Sequence, residues 1–201
     1  SAASFDGGYL SYGDWNVFGD QLTISAWVSF DSLSSEGSRV ISKSSGSSSL
    51  DHVWMLGEYN QEFRSRLNGN TLGPEGSLSL NTWYFLLTTY DGFVWKNFID
   101  GVEVSSVVLS GDVFSSDDLV TVGANFGGYG LLSGRIDDLK VFDVAFSDSD
   151  VLDLYDSYFV DCVDCSVFDL DGDGFVGLVD LFLLVEDFGQ SSENDFNSDG
   201  V

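Results

Sequence analysis

Leu22-Thr23-Ile24-Ser25-Ala26-Trp27-Val28-Ser29-Phe30 decides the fold class. Leu22, Ile24, Ala26, Val28 and Phe30 fall on one face, the period-two pattern of a strand with one side in a core. Trp83 to Tyr90 and Phe93 to Ile99 repeat the theme with aromatic and β-branched residues. Asp91-Gly92 joins these two runs, and Asp100-Gly101 leads from the second into Val102-Glu103-Val104. Asp-Gly reads as a hairpin turn because Gly and Asx tolerate positive φ. Arg135 to Phe142 is a further strand, and loops rich in Ser, Gly and Asn are expected at 32–38, 44–49 and 68–77. A single Pro among 23 Gly fits turns built from Gly and Asp. Many short strands at this spacing predict an all-β sandwich or jelly roll over residues 1 to about 145.

The composition narrows the function classes. The chain has 201 residues, 43% hydrophobic and 15% aromatic, enough for one packed domain and a remainder. Seven Lys and Arg stand against 33 Asp and Glu, a formal charge of −26. That balance excludes sequence-independent nucleic-acid binding and polybasic attachment to anionic lipid. It fits a secreted protein that binds cations or meets neutral partners, divalent ions relieving the repulsion. The densest apolar run, Leu181 to Val185, is far too short for a membrane span. Ser1-Ala2-Ala3-Ser4 reads equally as a mature terminus after cleavage or as an artificial boundary.

After the strands the period changes. Ser147 with Asp150 forms a capping box, and Val151, Leu154, Tyr155 and Tyr158 fall at helical spacing. This short helix is expected to lay its apolar stripe on the sandwich. Cys162 and Cys165 then form a lone CxxC. With His52 the only histidine, a local disulfide is favoured over a zinc or redox site. The predicted organisation is a sandwich domain at 1–158, a junction at 159–168, and a small module at 169–201.

Asp169-Leu170-Asp171-Gly172-Asp173-Gly174-Phe175-Val176-Gly177-Leu178-Val179-Asp180 is the most specific motif. Asp169, Asp171, Asp173 and Asp180 occupy positions 1, 3, 5 and 12 of a calcium loop, with Gly174 at the turn and the Phe175 carbonyl at position 7. A helix follows, from Leu178 to Phe188, ending at Gly189. Asp195, Asn197 and Asp199 begin a second loop that lacks its later positions. The expectation is that the natural chain runs further or that something else completes this loop. Calcium is the expected cofactor.

Two resemblances follow from these residues. Residues 161–201, with the Asp-x-Asp-x-Asp-Gly loop entering a helix and its partial repeat, resemble dockerin type I repeats and the dockerin-like modules of secreted bacterial proteins. Leu178 and Val179 depart from the small polar pair that often contacts cohesin. Residues 1–158 resemble the laminin G-like, concanavalin A-like jelly-roll family, including its pentraxin-like members. The carrying segments are Phe5-Asp6-Gly7, Leu22 to Val28, Ile41-Ser42-Lys43, Asn81-Thr82-Trp83-Tyr84, Tyr90-Asp91-Gly92, Phe98-Ile99-Asp100-Gly101, Val122-Gly123 and Gly134 to Phe142. The resemblances together imply a concanavalin A-like jelly roll with a short helix and an EF-hand-like, dockerin-like calcium module. The jelly-roll family often holds a structural calcium where the first and last strands meet, which implies Asp6 and Asp138. The alternative is that Asp6 only caps the turn at Gly7-Gly8.

No catalytic residues are expected. Glu58 and Glu62 lack the carboxylate run of concanavalin A-like hydrolases, and a Ser-His-Asp arrangement would have to use His52 beside Asp51. For sugar binding, aromatic platforms beside planar polar groups are needed. Trp54, Tyr59, Arg64, Arg66, Trp95, Lys96, Asn125 and Tyr129 are the candidates, with Trp27 and Trp83 assigned to the core. Arg64 and Arg66 share a strand face; the alternative for them is a charge pair with nearby Asp or Glu. The expected function is that of a secreted, non-catalytic, calcium-binding, lectin-like protein that recognises carbohydrate at or outside a bacterial surface. The alternative is a structural or adhesive subunit that self-assembles in a calcium-dependent way through the dockerin-like 169–201, with another surface protein as the other candidate partner of that segment.

Overall fold

A computed structural model of the chain describes residues 2–33 and 36–159. The chain divides into two units, Ser1–Ser157 and Tyr158–Val201. The candidate disulfide Cys162–Cys165 and the calcium ligands Asp169, Asp171, Asp173, Phe175, Asp180, Asp195, Asn197 and Asp199 lie outside the described residues.

The first unit is a sandwich of two six-stranded antiparallel sheets. Sheet A runs β1 (Ala3–Asp6), β12 (Ser133–Phe142), β3 (Leu22–Ser32), β8 (Trp83–Tyr90), β9 (Val94–Ile99), β10 (Val102–Val108). Sheet B runs β2 (Leu10–Tyr12), β11 (Val120–Val122), β4 (Arg39–Ser44), β5 (His52–Tyr59), β6 (Glu62–Leu67), β7 (Asn70–Ser77). One helix, α1 (Asp148–Asp156), follows the last strand. This is the all-β, two-layer arrangement expected of a jelly roll.

The alternation in β3 sets the inner face. Leu22, Ile24, Ala26, Val28 and Phe30 are all buried, opposite Trp54, Leu56, Phe63 and Leu67 of sheet B in one core. Polar side chains inside that core satisfy one another. The Trp95 indole N–H donates to Thr88 Oγ1 at 2.8 Å, and Ser65 Oγ donates to Asn97 Oδ1 at 2.6 Å across the two sheets. At the β9–β10 hairpin both Asp100 (φ 51) and Gly101 (φ 77) are left-handed, which is why that pair of residues stands there. At Asp91-Gly92 only the glycine is; the Asp91 carboxylate instead accepts from the Phe93 and Val94 amides.

Helix α1 starts as its sequence implies. Ser147 accepts from the Asp150 amide, and the Asp150 carboxylate accepts from the Ser147 amide. Its apolar stripe covers the outward face of sheet A. Val151 is fully buried, and Tyr155 stacks on Trp27 at 6.0 Å and approaches Phe85 at 5.9 Å. Gly101 leaves room for this helix, since a Cβ there would meet Tyr155 at 3.1 Å.

Two expectations are corrected. Residues 70–77 form the edge strand β7, not a loop: its irregular register admits Gly73, Pro74 and Gly76, which an edge tolerates. Trp27 and Trp83 are half-buried on the outward side of sheet A, beside Tyr155 and Arg135 respectively, rather than in the core.

Candidate functional site

The outward face of sheet B gathers most of the chain's unusual chemistry. Inner and outer residues alternate along β5 and β6, so Trp54, Leu56, Phe63 and Leu67 point into the core while Met55, Gly57, Arg64 and Arg66 point away from it. Gly57 lies opposite both Arg39 of β4 and Arg64 of β6. The missing side chain at 57 lets the Ser38 carbonyl lie over the strand, where a Cβ would come within 2.3 Å of it. Arg66 is opposite Met55 in the next rank.

Loops cover this face and make it a floor rather than an open surface. Arg39, Arg64 and Arg66 are only 4%, 6% and 8% exposed. The Arg39 guanidinium donates to the Glu36 carbonyl at 3.1 Å, and that of Arg66 to the Ser47 carbonyl at 3.1 Å. Arg64 lies over the Tyr59 ring, 4.6 Å from its centroid. A Cβ at Gly37 would stand 2.9 Å from Arg39 Nη1 and 3.2 Å from Arg64 Nη2, so the two guanidinium groups converge beneath the Gly37 backbone. Burial, then neighbouring Arg66, pushes Arg39 down to about 10; burial, then Arg39 and Arg66, pushes Arg64 down to about 9. Arg66 is lowered by burial as well. All three remain cations at neutral pH.

His52 braces one side of the floor. Its Nδ1 is 2.7 Å from the Ser48 carbonyl and its Nε2 3.1 Å from Asn125 Oδ1, while Arg66 Nη1 lies 3.0 Å from Nδ1. Burial and the Arg66 cation push the ring down to about 4, so it is uncharged at neutral pH. Asp51 does not serve the ring; its carboxylate accepts from the Ser48 amide and caps the short 3-10 turn Ser49–Asp51. Glu58, fully buried, accepts from the Ser38 and Gln61 amides. The histidine and carboxylate that a hydrolytic reading would need here are thus bound to backbone groups.

A rim of exposed aromatic rings lies beside the floor. Tyr9, Phe126 and Tyr129 are 44%, 46% and 55% exposed. Gly127 and Gly128 sit between them: a Cβ at 127 would touch the Tyr129 ring and one at 128 the Tyr9 ring. The rim is tied to the floor by the chain itself. Asn125 holds His52, its amide donates to the Tyr129 carbonyl at 2.8 Å, and the Arg39 amide donates to the Gly130 carbonyl at 3.0 Å.

Of the residues singled out from the sequence, the structure places Tyr59, Arg64, Arg66, Asn125 and Tyr129 around this one face. It separates the other three. Trp54 is fully buried 5.5 Å from Trp15, and Trp95 is in the core on its Thr88 hydrogen bond, so neither offers a ring to a ligand. Lys96 sits on the outward side of sheet A, paired with Glu103 at 2.9 Å and Asp148 at 2.7 Å. The candidate calcium pair is also separated. Asp6 faces Ser133 at one end of the β1–β12 pairing, whereas Asp138 lies past Ile136, which faces Ala3 at the other. The Asp138 carboxylate bonds Lys140 Nζ at 2.8 Å. Among the described residues no group of three His, Cys, Asp or Glu side chains converges as a metal site would require. Arg39, Tyr9 and Phe126 were missed, and His52 was weighed only as a catalytic or metal-binding residue; the signal for Arg39 was its rarity, one of seven Lys and Arg in the chain, at the head of strand β4.

A two-sheet jelly roll with loops and aromatic rings crowded on one outer face is the architecture of lectin-like domains. The family model described as the concanavalin A-like lectin/glucanases superfamily, Laminin_G_3, matches residues 5–152, and the chain belongs to that family. No curated protein matches the chain. Among solved structures, it is similar to domain 4 of AbnA, a GH43 extracellular arabinanase from Geobacillus stearothermophilus, solved in complex with arabinotriose. That match has 22% identity and TM-score 0.62 over 77% of this chain and 76% of that one. A heptameric SAP-like pentraxin from Limulus polyphemus aligns at 16% identity and TM-score 0.60 over 76% of this chain and 80% of that one. Trypanosoma rangeli sialidase aligns at 15% identity and TM-score 0.58, covering 79% of this chain but 27% of the sialidase. At these identities the likenesses are of fold. Among the described residues no helix is long and apolar enough to cross a membrane.

Proposed function

We propose that this domain is a non-catalytic carbohydrate-binding module of an extracellular protein, with its glycan site on the outward face of sheet B. The observation that carries this reading is the meeting of exposed Tyr9, Phe126 and Tyr129 with a donor-rich floor of Arg39, Arg64 and Arg66. Aromatic faces stack on the apolar faces of pyranose or furanose rings, and fixed donors orient the hydroxyls. The absence of catalysis is part of the proposal, supported by the capping role of Asp51 and the backbone-bound Glu58. The arabinotriose complex of the similar arabinanase domain adds weight to a sugar ligand.

The segment 169–180 is proposed to bind calcium through Asp169, Asp171, Asp173, Asp180 and the Phe175 carbonyl, with Asp195, Asn197 and Asp199 as a partial second loop. In this reading it is an attachment module, to copies of the chain or to another surface protein.

A glycan array probed in calcium and again in EDTA tests the function. Binding to a related group of glycans that Tyr129→Ala weakens at least tenfold is the expected result. Blank arrays in both arms overturn the reading.

A further inference from the structure

We infer that Arg39, Arg64 and Arg66 form a subsite for the carboxylate of an acidic sugar of the uronic-acid class. This rests on the carbohydrate-binding reading and specifies its ligand. The first ground is charge without a partner. The ion pairs among the described residues are Lys96–Glu103, Lys96–Asp148, Arg135–Asp31 and Lys140–Asp138; none involves the three buried arginines. A shortage of acids does not explain this, because the chain holds 33 Asp and Glu against seven Lys and Arg. Three of those seven cations are gathered on one face, where Glu36, Glu58 and Asp51 act on their charge from nearby.

The second ground is unsatisfied donors. Arg39 Nε, Arg64 Nε and Nη2, and Arg66 Nε are buried and have no hydrogen-bond partner among the described residues. Buried charged donors ordinarily find acceptors, and where no described residue supplies one a ligand oxygen can. Glu58, the buried acid nearest in charge to Arg39 and Arg64, is engaged by the Ser38 and Gln61 amides and does not reach them within ion-pair distance. The cluster has no acceptor of its own to offer, since guanidinium groups only donate.

The third ground fixes the chemistry. Paired, coplanar N–H groups match the two oxygens of a carboxylate, and several such groups at one point favour an oxyanion over a hydroxyl. The rim of Tyr9, Phe126 and Tyr129 supplies the surface for the rest of the sugar. The overall charge of −26 selects against densely charged polyanions at long range, which favours an oligosaccharide carrying isolated carboxylates.

The test uses calorimetric titration of the whole chain at constant ionic strength with a trisaccharide carrying one galacturonic acid, its carboxyl-reduced neutral counterpart, its counterpart with a single sulfate in place of the carboxylate, and sodium sulfate. The inference expects the uronate to bind at least tenfold more tightly than the neutral sugar. It also expects Arg64→Gln to remove that preference while melting within a few degrees of the parent. A thermal upshift of the unmodified protein by the uronate, absent with the neutral sugar, gives the same answer if the variant fails to fold. Equal binding of uronate and neutral sugar overturns the acidic subsite and leaves the carbohydrate reading standing. Preference for the sulfated sugar, or binding of sulfate alone, overturns the carboxylate assignment. Failure of every sugar here together with blank arrays overturns both.

Discussion

The two outward faces of the sandwich solve the same problem in opposite ways. On sheet A the chain covers itself: α1 lays Tyr155 on Trp27 and Phe85, Lys96 is paired with Glu103 and Asp148, and Lys140 with Asp138. On sheet B loops cover the strands, but among the described residues three arginines form no ion pair and the rings beside them stay exposed. A face whose charges and rings are matched internally is structural. A face whose cations are buried and unmatched is prepared for something outside the chain.

Substitutions can break or sharpen that contrast. The largest loss belongs to neither face. Trp54→Ala empties the centre of the core and should cost about 3–5 kcal/mol, read as a lower urea midpoint. If Trp54 were a sugar platform instead, the melt would barely move and binding would fall.

On the sheet B side, His52 should give the domain an acid-sensitive limb. Its folded value near 4 lies below the ordinary 6.5, so between these the unfolded chain takes up a proton that the folded chain refuses. Stability is therefore full above pH 6.5 and falls as pH drops toward 4, by roughly 3 kcal/mol in all. His52→Gln should flatten that part of the stability profile; a parallel profile would mean the ring is protonated in the fold.

On the sheet A side, Tyr155→Ala removes both aromatic contacts of the helix and should cost about 2 kcal/mol, measured by thermal melting. Arg64→Met should behave in the opposite manner. It replaces an unpaired buried cation and, without ligand, should leave stability within about 1 kcal/mol or raise it. A loss as large as that of Tyr155→Ala would make the arginine floor structural and erase the difference between the faces. Lys96→Ala is the smallest change expected, about 0.5 kcal/mol and screened by salt, because its partners are solvent-exposed.

Alternation made β3 and β8 legible, and the Ser147–Asp150 capping box marked α1, because strand period and helix caps are local properties. The strand β7 was not legible. Gly73, Pro74 and Gly76 carry loop chemistry, and only the neighbouring strand β6 holds them extended. The same limit applied to the tryptophans. Residue type marks Trp27, Trp54, Trp83 and Trp95 alike as large aromatics, yet sheet register sends Trp54 and Trp95 inward and the other two outward.

The sequence by itself determined an acidic, two-layer β domain with a capped helix behind it, since period, turn chemistry and composition act over a few neighbouring residues. Which residues share a face was decided only by tertiary structure. Arg39 and Arg64 are far apart in the chain and meet because both flank Gly57 in sheet B; Lys96, grouped with them by charge, stands on the other side of the sandwich because β9 belongs to sheet A. Strand order and register are long-range pairings, and they, not residue type, brought the cations of this acidic chain together.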